Sequence, residues 1–212
     1  MSGKPAQVSR GDRRKAKTRA ALIGAAVGFL SEGRTSVSIQ EITDAADVGF
    51  GTFYNHFDTK EDLFAAAVTA TLDGWAALRA RATAGLVDPA EIFARSFRVA
   101  GRLQPVHPTM VRLVLNSGAQ VLSSEHGLRP GAVEDIGRGI ESGRFAVRDV
   151  DAAVMMAGGL LLALLQMLES TDAPAGSTAD LFAERALVML GVASDEAHDI
   201  CHRELPDISV EL

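Results

Sequence analysis

The stretch that decides the fold runs from Ser38 to Leu63, SIQEITDAADVGFGTFYNHFDTKEDL. Ser38-Ile-Gln-Glu41 has the spacing of a capping box, in which the serine oxygen accepts an amide proton and the glutamate reaches back. Ile39, Ile42, Ala45 and Ala46 then recur at helical spacing, which predicts a short amphipathic helix. Asp47-Val48-Gly49 breaks the pattern, and a second short helix is expected through Phe57. Phe53 and Phe57 share its inward face. Stepping about 100° per residue from Phe53 points Gly51 and Asn55 most directly outward, with Thr52 and Tyr54 on the flanks. Small Ala45 and Ala46 let the two helices approach, and Val48 plugs the turn. Two short helices joined this way and braced by a preceding helix form a helix-turn-helix unit.

The outward residues suit a polyanion. Tyr54 and Thr52 can donate to phosphate oxygens, and a side-chain-free Gly51 permits close approach. Asn55 matches an adenine edge. Thr59-Lys-Glu-Asp62 is a second capping signal, opening a long helix to about Ala84. Lys60 stands at its start, where the helix terminus and the ammonium both favour an anion.

Upstream lies a basic arm. Residues 1–19 hold seven basic side chains (Lys4, Arg10, Arg13, Arg14, Lys15, Lys17 and Arg19) against Asp12, whereas the whole chain carries a net charge of −6. A basic arm on an acidic body suggests nucleic acid meeting one end of the molecule; the alternative is a solvated tail. The arm leads into a helix expected over Arg13–Ser31, with Leu22, Ala26, Phe29 and Leu30 inward and Gly33 as its stop.

Downstream, nearly every segment reads as helix. Leu63, Phe64, Ala67, Ala70, Gly74, Trp75 and Leu78 form the buried stripe of the long helix. A third capping box, Asp88-Pro-Ala-Glu91, opens a helix burying Ile92, Phe93, Phe97, Ala100 and Leu103. Pro108 starts another, with Met110, Leu113, Val114 and Ser117 inward. Ser123–Gly131 reads as a loop, and Val133, Ile136, Gly137 and Ile140 mark a helix closed by Gly143. Large apolar helices are expected near 150–169 and 177–190, followed by a short polar helix near Ser194–Glu204. The expected fold is all-α, with a helix-turn-helix domain over 1–60 and a larger helical domain over 61–212.

At 212 residues with 47% hydrophobic and 23% charged side chains, the composition excludes disorder throughout and a low-complexity fibre. A single cysteine, Cys201, excludes an internal disulfide framework. The apolar run Ala152–Leu168 contains Gln166 and falls short of the roughly 20 apolar residues a spanning helix needs, so a buried helix is expected and no membrane partner. No apolar stretch follows the N-terminal basic residues, so the cytoplasm is the expected compartment. The GxSxG, GxxxxGK[ST] and HExxH patterns are absent, and no enzyme is expected. His198 and His202 are four apart and flank Cys201, but a structural reading is preferred there, and neither metal nor cofactor is expected.

The stretch Ile39–Leu63 strongly resembles the DNA-binding module of TetR-family transcriptional regulators, above all in Gly51-Thr52-Phe53-Tyr54-Asn55-His56-Phe57 and Lys60-Glu61-Asp62-Leu63. Chain length, the long linking helix and the paired apolar C-terminal helices extend the resemblance weakly to the whole chain. It implies a one-component regulator, in the first instance a repressor, that binds a palindromic DNA operator as a homodimer and is released by a small molecule. Thr52, Tyr54 and Lys60 then become backbone contacts, while Phe50, Asn55 and His56 become candidates for base edges. The candidate DNA-contacting set is Ser38, Gly49, Phe50, Gly51, Thr52, Tyr54, Asn55, His56 and Lys60. Gly49-Phe50 departs from the polar pair of many relatives: Phe50 either presses on a thymine methyl or packs inside.

The same resemblance implies dimerisation through the helices near 150–169 and 177–190, and a pocket for a partly apolar effector between the middle helices. Pocket candidates are Trp75, Phe93, Phe97, Met110, Leu113, Val114, Ser117, Met155 and Met156, with Arg98, Arg112, Asn116, Ser117 and Gln120 as groups that could orient a ligand. Two other readings stay open at this point: an all-α ligand-binding protein or enzyme without DNA binding, and a regulator of the same fold that activates or needs a co-repressor.

Overall fold

The computed structural model describes residues 9–206. Lys4 of the basic arm and the C-terminal residues 207–212 lie outside them. Among the described residues ten α-helices follow in order: α1 Arg10–Ser31, α2 Ile39–Ala45, α3 Phe50–Phe53, α4 Lys60–Thr83, α5 Pro89–Gly101, α6 Pro108–Ser117, α7 Leu128–Glu141, α8 Val150–Ser170, α9 Ala175–Met189 and α10 Ser194–Cys201. A 3-10 turn over Gly118–Ser123 joins α6 to α7, and no strand occurs among the described residues.

The capping signals place the helix starts. Ser38 Oγ accepts from the Glu41 amide at 3.2 Å, and the Glu41 carboxylate accepts from the Ser38 amide at 2.8 Å, closing the box that opens α2. Thr59 and Asp62 close the same box on α4. The third box stays open. Asp88 accepts from the Ala90 amide at 2.9 Å, but Glu91 turns outward to pair with Arg203.

Other boundaries differ from expectation for local reasons. α1 starts three residues early because the Ser9 hydroxyl accepts from the Asp12 amide at 3.1 Å, so the basic residues from Arg10 onward are helical. α3 ends at Phe53 and not at Phe57. The bonds Asn55 N–H to Thr52 C=O and His56 N–H to Phe53 C=O tighten the chain into turns, as asparagine so close to a helix end encourages. The expected loop over Ser123–Gly131 is shorter, because the 3-10 turn reaches Ser123 and α7 already begins at Leu128. α7 starts behind Gly127, whose φ of +83° and close approach to Leu72 both require a residue without Cβ. α10 stops at Cys201, short of Glu204.

Three buried clusters divide the molecule. Leu22, Ala26, Ile42, Phe53, Phe57, Leu63 and Ala67 unite α1–α3 with the first turns of α4. The packing boundary therefore falls inside α4, beyond residue 60. Further along α4, Leu72, Trp75, Leu78 and Ala82 pack with α5, α6 and Leu165 of α8. The largest cluster joins α5 and α7–α10. Gly101 lets α5 and α9 cross closely, since a Cβ there would lie 2.7 Å from Ala179 Cβ. The body is also tied by ions: Asp180 accepts from Arg98 Nε at 2.6 Å and Arg102 Nη2 at 2.8 Å. Arg144 bridges Asp88 and Glu196.

α8 is long and apolar enough to cross a membrane by length and composition. Its inner face, Ala153, Val154, Ala157, Leu164, Leu165 and Leu168, is instead packed in the body. Ala152, Met155, Met156, Gly159, Ala163 and Met167 line its exposed face.

Candidate nucleic-acid interface and helical cavity

Burial sorts the helix-turn-helix as the aromatic spacing predicts. Phe53 and Phe57 lie in the core, whereas Gly49, Phe50, Gly51, Tyr54 and Asn55 are exposed. Phe50 does not pack inside. It is 47% exposed and meets Tyr54 edge to face at 5.9 Å, so two aromatic rings stand on the outer surface of the second helix. Thr52 is half-buried.

Three other candidates have partners within the protein or lie partly inside it. The Ser38 hydroxyl is engaged by the capping box. Lys60 Nζ donates to the carbonyls of Thr35 and Val37 at 3.0 and 3.1 Å, pinning the α1–α2 loop to the head of α4. Those bonds occupy two of its three N–H groups and leave one for an anion. His56 is half-buried near Lys15 and Arg19 of α1. Burial first, then those two cations, hold its ring below the ordinary histidine value, and its Nδ1 is buried without a partner.

The described part of the basic arm is one helical surface. Residues 10–17 and Arg19 are exposed, and the first fully buried side chain of α1 is Leu22. Arg19 lies 4.9 Å from the Phe57 ring centroid, so the cationic surface of α1 adjoins the core of the helix-turn-helix. The arrangement can offer a polyanion a cationic helix together with an exposed aromatic and amide surface.

A cavity of about 100 Å³ lies in the body between α4, α5, α6, α7 and α8. Trp75, Phe93, Phe97 and Val114 line it. The remaining pocket candidates lie elsewhere. Leu113 is fully buried outside the lining, and Met110 packs into the cluster around Leu103. Ser117 lines a separate cleft next to the helix-turn-helix and donates to the Leu113 carbonyl. Met155 and Met156 are exposed on α8, because the phase of that helix turns them away from the body.

The residues considered for orienting a ligand are also occupied elsewhere. Arg98 pairs with Asp180 and Arg112 with Glu169. Asn116 bonds the end of α1, and Gln120 lines the same cleft as Ser117. His107 occupies the cap position of α6 without a side-chain cap bond.

The cavity's polar wall consists of Arg79, Ser96, Arg129 and Asp135, none of which stood out in sequence. Asp135 is 2% exposed and paired with both Arg79 and Arg138. Arg129 pairs through Nη2 with Asp151. Two lining residues each carry a buried donor without a partner, Trp75 at Nε1 and Arg129 at Nε. A buried N–H without an acceptor is costly, and a ligand oxygen would relieve it. The available signal was one of pattern, since Arg79 and Asp135 are charges on otherwise apolar helix faces.

Comparison with known proteins agrees with this arrangement. Residues 22–67 match the family model for bacterial regulatory proteins of the tetR family, and residues 88–203 match that for the tetracyclin repressor-like C-terminal domain. No curated protein matches the sequence significantly. Among solved structures, RolR in complex with resorcinol is 35% identical, with a TM-score of 0.73 over 92% of this chain and 98% of its own. RolR without ligand is 34% identical, with a TM-score of 0.71 over 89% of this chain and 99% of its own. The fatty acid degradation regulator FadR from Bacillus halodurans shares the fold at 18% identity, with a TM-score of 0.66 over 88% of this chain and 97% of its own. The chain belongs to the TetR family of bacterial transcriptional regulators.

Proposed function

We propose that the protein is a cytoplasmic homodimeric repressor that binds a palindromic operator and leaves it when a small aromatic effector enters the body. It acts by binding and not by catalysis. The observation that carries DNA reading is the joint exposure of Phe50, Gly51, Tyr54 and Asn55 on a helix-turn-helix whose Phe57 ring meets Arg19 of the cationic helix α1. Tyr54 and Thr52 hold phosphates, Asn55 reads a base edge, and Phe50 presses on a thymine methyl. Arg10–Arg19 supply the long-range attraction that the acidic body lacks.

The exposed apolar face of α8, continued on α9 by Leu181 and Val188, supports pairing of two chains about a two-fold axis. Pairing would set the two reading heads in successive major grooves, about 34 Å apart.

The cavity supports an effector with one aromatic ring. Its volume of about 100 Å³ is of the order of the ~150 Å³ apolar cavity that accepts benzene. Trp75 Nε1 and Arg129 Nε would donate to the effector's oxygen atoms. RolR, the 35% identical relative, is found with resorcinol, a ring of that size and kind. Effector entry would act on α6, which lines the cavity through Val114 and holds α1 through Asn116. Release requires the effector to bind the DNA-free arrangement more tightly than the DNA-bound one.

The test is selection of bound fragments from sheared genomic DNA, with the wild-type chain and with Asn55→Ala, in the absence and presence of resorcinol. Enrichment of fragments sharing a palindrome, with altered preference in the variant, supports the reading. Equal recovery of all fragments by the wild-type chain, with resorcinol absent or present, overturns it.

A further inference from the structure

We propose that Glu184, His198 and His202 form a site for one divalent transition metal ion of borderline character, such as Zn²⁺ or Ni²⁺, which ties α10 to α9. In sequence His198 and His202 are only a pair; the fold adds Glu184 from the preceding helix. One ligand atom from each of the three lies within 4.8 Å of the others, so small side-chain rotations bring all three onto one ion.

The histidines are prearranged. His202 Nδ1 lies 2.8 Å from the His198 carbonyl. A carbonyl only accepts, so Nδ1 carries the proton and Nε2 keeps its lone pair for a metal, the orienting role that backbone carbonyls play behind metal-bound histidines. The two ring centroids lie 3.9 Å apart with the planes tilted by 34°, so the imidazoles are neighbours. His198 Nδ1 lies 3.1 Å from Glu184 Oε2, so this imidazole and this carboxylate already meet.

Exposure suits an exchangeable ion. The histidine faces are open to solvent, while the Glu184 side chain is only 12% exposed. Arg185 approaches Glu184 only to 4.0 Å and is itself 62% exposed, so it can swing aside. Two imidazoles and a carboxylate are a common set for Zn²⁺ that leaves a position for water. Cys201 supplies no fourth ligand. It is buried in the body.

The ion would fasten α10 to the helix that carries Leu181, Arg185 and Val188, and so stiffen the face proposed above for pairing. The metal site itself does not depend on that proposal.

The experiment is calorimetric titration of Zn²⁺ and Ni²⁺ into the full chain stripped of metal by a chelator, with thermal melts in parallel. One ion per chain is expected, with a raised melting temperature. His198→Ala, His202→Ala and Glu184→Gln should each weaken binding about tenfold or more. His126→Asn, at an exposed histidine elsewhere, should leave it unchanged. The visible absorption of bound Co²⁺ gives a second readout, expected to show low-symmetry nitrogen and oxygen coordination in the wild type and the spectrum of the aqueous ion in the His198→Ala, His202→Ala double variant. Absence of saturable binding, one ion per two chains, or binding that survives the double variant would overturn the assignment.

Discussion

Asn116 closes the end of α1 by donating its side-chain amide to the Leu30 carbonyl at 3.0 Å, and to that of Ser31 at the same distance. These carbonyls belong to the last turn of α1, where that of Leu30 also accepts from the Gly33 amide at 3.0 Å. Two residues earlier on the same helix, Val114 lines the cavity. On the reading proposed above, a shift of α6 at the cavity would reach the brace of the helix-turn-helix through Asn116. Asn116→Ala is expected to cost about 1 kcal/mol in stability and to reduce the effect of effector on DNA affinity more than DNA affinity itself. Operator titrations with and without resorcinol check this. An unchanged ratio would remove Asn116 from the coupling.

Trp75→Phe separates the ring from its N–H. The phenyl keeps the apolar wall, while the unpaired donor disappears. Effector affinity should fall about tenfold, corresponding to one lost hydrogen bond of about 1.4 kcal/mol. The ligand-free melting temperature should hold or rise, since no buried donor is left unmet. Calorimetry with a panel of phenols and a thermal melt supply both readings.

Asp180 joins α9 to α5 through two arginines, and Arg98 beside it is only 5% exposed. Removing its charge should destabilise the chain by on the order of 3 kcal/mol, because Arg98 stays buried without its counter-ion. Burial pushes the Asp180 carboxyl up, but the Arg102 and Arg98 guanidiniums outweigh it and hold the group below its ordinary value. Its contribution is thus present above the unfolded carboxylate value of about 4 and is lost as pH falls through the lower folded value. Denaturant melts across that range should show a shallower acid loss in Asp180→Asn than in the wild type.

The cationic surface of α1 predicts salt dependence. Replacing Arg13, Arg14 and Lys15 with alanine should reduce the slope of log affinity against log salt by about 0.9 for each phosphate that is no longer neutralised. Sequence preference should persist if, as proposed, these side chains attract the backbone and do not read bases. An unchanged slope would exclude this part of α1 from the interface.

The helix-turn-helix was legible because its signals are local. The Ser38–Glu41 box, the spacing of Phe53 and Phe57 and the glycines near the turn act within a few residues of chain. The all-α body was legible from apolar periodicity and capping residues. The cavity was legible only in part, because a 3.6-residue period tells inside from outside but not a wall from a filled core. It put Leu113 and Trp75 on equal footing, although only Trp75 reaches the cavity. Met155 and Met156 were misplaced because α8 is apolar nearly all round, so its sequence alone does not reveal which side meets the body. Pairings across long separations, such as Asn116 with Leu30 or Glu184 with His198, had no local trace.

The most direct test of the central claim is quantitative binding of the wild type, Asn55→Ala and Tyr54→Phe to the recovered palindrome and to each of its single-base variants. Asn55→Ala should lose discrimination at one base position in each half-site, by about 1–3 kcal/mol, whereas Tyr54→Phe should weaken all sites alike. Retained discrimination at every position in Asn55→Ala would contradict base reading by the exposed face of α3 and the turn that follows it.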